Sequence, residues 1–79
     1  MSNIDKYKKS FINALEIEES QLTDDLKYND ITEWDSIGHM TLIADLEETF
    51  NVTLETDDII DFSSYEKGKE ILQKYKIDF

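Results

Sequence analysis

Asp35-Ser36-Ile37-Gly38-His39-Met40-Thr41-Leu42-Ile43-Ala44-Asp45-Leu46-Glu47-Glu48-Thr49-Phe50 is the stretch that decides the fold. Ile37, Met40, Ile43, Leu46 and Phe50 recur at the spacing that aligns side chains along one face of an α-helix, and Leu42 widens that face. Asp35 and Ser36 both suit a helix start, because a short oxygen-bearing side chain accepts hydrogen bonds from first-turn N–H groups. Asp45, Glu47 and Glu48 load the opposite side with negative charge. The spacing predicts a helix from about Ser36 to Phe50.

Working outward, Ile4, Tyr7, Phe11, Ile12 and Leu15 form one stripe, predicting a first helix from about Asn3 to Leu15 that starts on Ser2. A short helix fits Thr56 to Asp61, with Thr56 as its cap and Asp57 and Asp58 in its first turn. A last helix, about Ser64 to Lys76, sets Tyr65, Gly68, Leu72 and Tyr75 on one side and is capped by Ser63 or Ser64. Strand signals are weak, the nearest being Asn51-Val52-Thr53-Leu54. The segment from Glu16 to Trp34 is long for a loop. Ile17, Leu22, Leu26, Tyr28, Ile31 and Trp34 anchor it over the core, and Asp24-Asp25 marks a single helical turn within it. The expected architecture is all-α: three longer helices, one short one and a long first loop, in a single domain over residues 1–79.

The chain carries 19 acidic residues against 8 lysines and a net charge of −11, a surface that repels nucleic acid and anionic lipid and favours basic protein partners. It has no cysteine, which excludes disulfides and thiolate metal sites and is compatible with a reducing cytosol. Neither a secretory signal nor a membrane span is expected, so the reading is cytoplasmic. With one histidine, no Gly-rich phosphate loop and no calcium-loop spacing between Asp24 and Glu33, no metal or nucleotide site is expected. Ser36 and His39 stand three apart on one helix, yet no third group or oxyanion hole accompanies them, so a catalytic dyad is not expected. His39 then reads as a surface or partner-facing residue. Taken alone, Ser36 reads as a helix cap. Its setting also suits an attached phosphate, since a helix start offers unpaired N–H groups and partial positive charge.

Glu33-Trp34-Asp35-Ser36-Ile37-Gly38-His39-Met40, continued by Leu46-Glu47-Glu48-Thr49-Phe50, resembles the acyl carrier proteins and their peptidyl carrier relatives. Leu15 to Leu22, Thr56-Asp57-Asp58-Ile59 and Ser63-Ser64-Tyr65 extend the resemblance over nearly the whole chain. It implies an acyl-carrier-protein-like four-helix bundle with a long loop between helices 1 and 2 and a short third helix. It implies a 4'-phosphopantetheine arm on Ser36, attached from coenzyme A by a phosphopantetheinyl transferase. The arm's thiol would carry acyl or aminoacyl groups as thioesters, with no catalysis by the carrier, a monomer. Asp35, Ile37, Met40, Asp45, Glu47 and Glu48 map to the surface read by loading ligases and acyl-transferring enzymes with basic docking surfaces. Gly38 and Thr41 stand where carriers of primary fatty acid synthesis have acidic residues, and Trp34 replaces a small residue. The resemblance is therefore nearer to stand-alone carriers of specialised pathways. Gly38 is expected to weaken the helix by about 1 kcal/mol relative to alanine. Gly68 has two readings: room for a short acyl chain between helices, or close packing. The competing class is an acidic helical interaction module without an arm.

Overall fold

The computed structural model describes residues 2–79 and, among them, four α-helices: α1 (Asn3–Leu15), α2 (Ser36–Phe50), α3 (Thr56–Asp61) and α4 (Tyr65–Lys74). The all-α, carrier-like fold with a long first loop is as expected.

Each boundary has a local cause. Ser2 Oγ accepts the Asp5 N–H at 3.2 Å and starts α1. Glu16 closes α1 in the left-handed region (φ 54°), turning the Ile17 N–H back to the Ile12 carbonyl and Ile17 into the core. Asn51 closes α2 in the same way (φ 54°), a conformation that asparagine tolerates better than most residues. The cap of α3 is Glu55 rather than Thr56, which is the first helical residue; no side chain caps it. Ser64 caps α4 by accepting the Lys67 N–H at 3.0 Å. That helix stops at Lys74, short of Lys76, because Lys76 turns left-handed (φ 68°) and Ile77 folds back onto the Leu72 carbonyl.

Aromatic rings fill the core. Phe11 of α1 meets Tyr7, Trp34 and Tyr65 edge to face or tilted at centroid distances of 5.0, 5.3 and 5.4 Å. Leu42, Ile43 and Leu46 supply the buried side of α2. Ile37 and Met40 do not join them: they are 79% and 57% exposed. Apolar residues surround much of α2, so periodicity could not select its inner face; what α1 can cover selects it.

The long loop is ordered by its own bonds. Its helical turn is a 3-10 turn at Glu19–Gln21, where Gln21 Oε1 accepts the Glu18 N–H at 3.0 Å, while Asp24-Asp25 lie in a simple hydrogen-bonded turn closed by Leu26 N–H to Thr23. Further on, Asp30 Oδ2 accepts the Lys27 N–H at 2.9 Å, and Asn29, at φ 71°, sends its N–H to the Trp34 carbonyl. Lys27 and Ser64 form an antiparallel bridge, flanked by Tyr28 N–H to Ser63 O and Tyr65 N–H to Leu26 O, both 2.9 Å. This clasp ties the middle of the loop to the start of α4.

Gly68 lies on the inner side of α4, and the packing there decides between its two readings. A Cβ at that position would overlap the Tyr7 hydroxyl and the Phe62 ring. The Tyr7 hydroxyl is itself fixed, donating to the Tyr65 carbonyl at 2.6 Å, and burial pushes that phenol's pKa far up. No room for an acyl chain exists at Gly68; close packing is the reading that stands.

Candidate functional site

The start of α2 is built by Asp35. Its Oδ1 accepts the Gly38 N–H at 2.8 Å, and its carbonyl accepts the His39 N–H at 2.7 Å. Asp35 is therefore the cap, and Ser36 is the first helical residue instead. Its hydroxyl, free of capping, stands exposed and meets one side chain, Tyr28, at 3.2 Å between the two oxygens. Among the described residues the N–H groups of Ser36 and Ile37 have no partner within the chain.

His39 is half-buried at the cleft wall rather than free at the surface. Its Nδ1 accepts the Trp34 indole N–H at 3.0 Å, which places the ring proton on Nε2, and Nε2 donates to the Ile59 carbonyl at 2.9 Å. Both nitrogens are committed, so His39 has no lone pair to offer Ser36 as a base. The histidine instead pins α3 to α2. Gly38 has a similar structural reason. A Cβ there would overlap the Glu33 carbonyl, and Leu15 Cδ2 would lie 3.1 Å away. Glycine lets α2 start tightly against the loop, and this outweighs its low helix propensity.

Between α2 and α3 lies a cleft of about 310 Å³, lined by Tyr28, Ser36, His39, Met40, Ile59, Ile60, Phe62 and Ser63. Its α3 wall is tied down from the other side too. Asp58 accepts from Lys74 Nζ at 2.5 Å and from the Tyr75 hydroxyl, which in turn accepts the Glu55 N–H at 3.1 Å. The Lys74 bond first, and then the Tyr75 bond, hold the Asp58 carboxyl below its ordinary range, and the same contact raises Lys74. A carboxyl with a lowered folded pKa contributes stability above its unfolded value, about 4, and loses it as pH falls through the folded value. Asp58→Asn should therefore lower the urea midpoint at neutral pH and flatten its decline below about pH 4. An equally steep acid decline in the variant would place the acid-sensitive group elsewhere.

The six α2 residues expected to face partners do not share one face. Ile37, Met40 and Glu48 point outward, with Asp35 exposed at the helix start. Asp45 is half-buried on the α1 side, where its Oδ1 accepts the Thr49 hydroxyl at 3.1 Å. Glu47 is half-buried as well, and its Oε2 accepts the Leu54 N–H at 2.8 Å, bracing the connection to α3. Two residues that sequence reasoning did not single out for the site stand beside Ser36: Tyr28, and Ile60 of α3, which is 72% exposed. The tyrosine lies in a loop with no period to reveal its direction; an exposed isoleucine in a short acidic helix is the only signal for the other.

No helix among the described residues is long and apolar enough to cross a membrane. No curated protein matches the chain. A family model, that of the phosphopantetheine attachment site, matches residues 8–67, from the middle of α1 to the first turn of α4. Domains of this family are non-catalytic carriers with covalently attached 4'-phosphopantetheine, which interact with phosphopantetheinyl transferase and with biosynthetic enzymes. With the match spanning well over half its length and the helices folded as such a carrier requires, the chain belongs to the acyl and peptidyl carrier protein family and is a phosphopantetheine-carrying protein.

Proposed function

We propose that the chain is a single carrier domain whose phosphopantetheine arm is attached to Ser36, and that it serves a specialised cytoplasmic pathway rather than primary fatty acid synthesis. The observation that carries the site is the Ser36 hydroxyl itself: exposed, released from capping by Asp35, and at the first position of α2. The neighbouring N–H groups and helix dipole favour the negative charge of a phosphodiester there. In the modification, Ser36 Oγ forms a new bond to the pantetheine-bearing phosphorus of coenzyme A. The pyrophosphate O–P bond breaks, the adenosine bisphosphate half leaves, and the hydroxyl proton passes to a base of the transferase. Once bound, the arm supplies a thiol that holds acyl or aminoacyl cargo as a thioester.

The outward surface around Ser36 supports a particular kind of partner. Ile37 and Met40 from α2 and Ile60 from α3 are apolar and exposed, Asp35 is exposed at the start of α2, and Glu48, Asp57 and Asp61 are exposed elsewhere on α2 and α3. An enzyme with an apolar recess edged by basic side chains fits this surface. Asp45 and Glu47 are half-buried and hydrogen-bonded within the chain, which leaves Glu48 as the exposed carboxylate of α2. The absence of a side chain at Gly38 and of charge at Thr41 points the same way, to partners unlike those of primary fatty acid synthesis.

The test is intact mass after incubation with coenzyme A, Mg²⁺ and a broad-specificity transferase. One added arm on the wild type and none on Ser36→Ala is the expected result. Asp35 is the cap, so Ser36→Ala should stay folded, without the loss of about 0.5–2 kcal/mol that removing a cap would bring. An arm on the Ser36→Ala variant would move the attachment site, and a folded wild type that takes no arm would point to a dedicated transferase or bring the acidic interaction module forward.

A further inference from the structure

Among the described residues Ser36 has one side-chain neighbour in hydrogen-bond reach, and that neighbour is held firmly. The Tyr28 backbone is fixed by its N–H bond to Ser63 and by the bridge between Lys27 and Ser64. Its ring stands edge-on to Trp34 at 6.3 Å and to His39 at 5.6 Å. Both of those rings are locked to each other through the indole N–H and Nδ1. The phenolic oxygen therefore reaches Ser36 Oγ from a rigid support, at 3.2 Å.

In the unmodified protein either hydroxyl can be the donor of this bond. Esterification of Ser36 removes that choice. Oγ then has no proton, so the bond survives only with Tyr28 donating, to Oγ or to a phosphate oxygen one bond further out. Cations do not compete for the role. The chain contains no arginine, and no lysine lines the cleft beside Ser36. Asp35, next in sequence, brings negative charge, and its Oδ1 already serves the Gly38 N–H. A hydroxyl donor to an anionic oxygen makes a charge-assisted bond, shorter and stronger than a neutral one.

We propose that Tyr28 is a positioning residue for the prosthetic group, its phenol donating a hydrogen bond to the phosphodiester formed on Ser36. Together with the free N–H groups of Ser36 and Ile37, it fixes the direction in which the arm leaves the surface. This inference rests on Ser36 as the attachment site.

The experiment uses the full chain and Tyr28→Phe, which removes one oxygen and keeps the ring against Trp34 and His39. Both are converted to completion with excess transferase and coenzyme A, checked by intact mass, and compared by phosphorus NMR. The phosphodiester resonance is expected to move by well beyond its linewidth in Tyr28→Phe, with an unchanged far-UV spectrum. In the wild-type holo protein, nuclear Overhauser contacts are expected between the Tyr28 ring protons and the arm's methylene next to the phosphate; this readout needs no variant. Superimposable phosphorus resonances, or no contact between the Tyr28 ring and the arm, would overturn the proposal while leaving Ser36 as the site. A wild type that gains no mass would instead remove the Ser36 reading on which it stands.

Discussion

Trp34→Ala is expected to remove a large share of the protein's stability and to lower its urea midpoint steeply. Trp34 is completely buried, packed edge-on to Phe11 at 5.3 Å and Phe62 at 6.5 Å. Truncating a buried tryptophan costs about 3–5 kcal/mol. The whole stability of a chain this size is on the order of 4–12 kcal/mol. The loss extends beyond packing, because the indole N–H is the donor to His39 Nδ1, and His39 in turn holds the Ile59 carbonyl. Without its partner the histidine is free to rotate, and α3 loses its bond to α2. Trp34→Phe separates the two contributions: it keeps most of the apolar volume and should lose about 1–3 kcal/mol, largely from the orphaned nitrogen. Urea unfolding followed by far-UV circular dichroism measures both, the sole tryptophan being absent from each variant. A Trp34→Ala protein melting within a few degrees of wild type would show that the core closes around the gap.

Gly68→Ala should destabilise the fold by about 2 kcal/mol, although alanine is the better helix former. In an open helical position the exchange would gain about 1 kcal/mol. Here the added methyl group would overlap the Tyr7 hydroxyl and the Phe62 ring. Overpacking of this kind costs about 1–3 kcal/mol and occasionally more. Neither neighbour yields easily: Tyr7 is bonded to the Tyr65 carbonyl, and Phe62 packs on Phe11 and Trp34. A urea midpoint equal to or above that of wild type would show that α4 can move outward to make room.

How much of this was legible in the sequence depends on how far each feature lies from its cause. The bounds of α1, α2 and α3 were readable because their causes are neighbours: Ser2 for α1, Asp35 for α2, an acidic first turn for α3. The family was legible through a resemblance carried by Asp35-Ser36-Ile37 and the Leu46-Glu47-Glu48-Thr49-Phe50 end of the same helix, and Ser36 is the attachment site which that resemblance implies. Direction was not. Ile37 and Met40 obey the helical period yet face outward, because α1 covers the turn of helix opposite them. His39 is polar and sits at a helix start, which suggests solvent; only the approach of Trp34 and Ile59 gives both its nitrogens partners. Asp45 and Glu47 carry charge like Glu48, but Thr49 and the Leu54 N–H engage them inside the chain. The roles of Gly38 and Gly68 depend on what lies where a Cβ would go, the Glu33 carbonyl in one case and two aromatic side chains in the other. Tyr28 reaches Ser36 through the clasp between the loop and α4, a contact that no local pattern encodes.

That clasp also sets an order of events while the chain is being made. Its two sides, residues 26–28 and 63–65, are separated by more than a third of the chain, so closing it is a late, non-local step. During synthesis residues 26–28 leave the ribosome before residues 63–65 do, so the loop spends part of that time without its clasp. The phenol that meets that serine takes its place only after the start of α4 has left the exit tunnel.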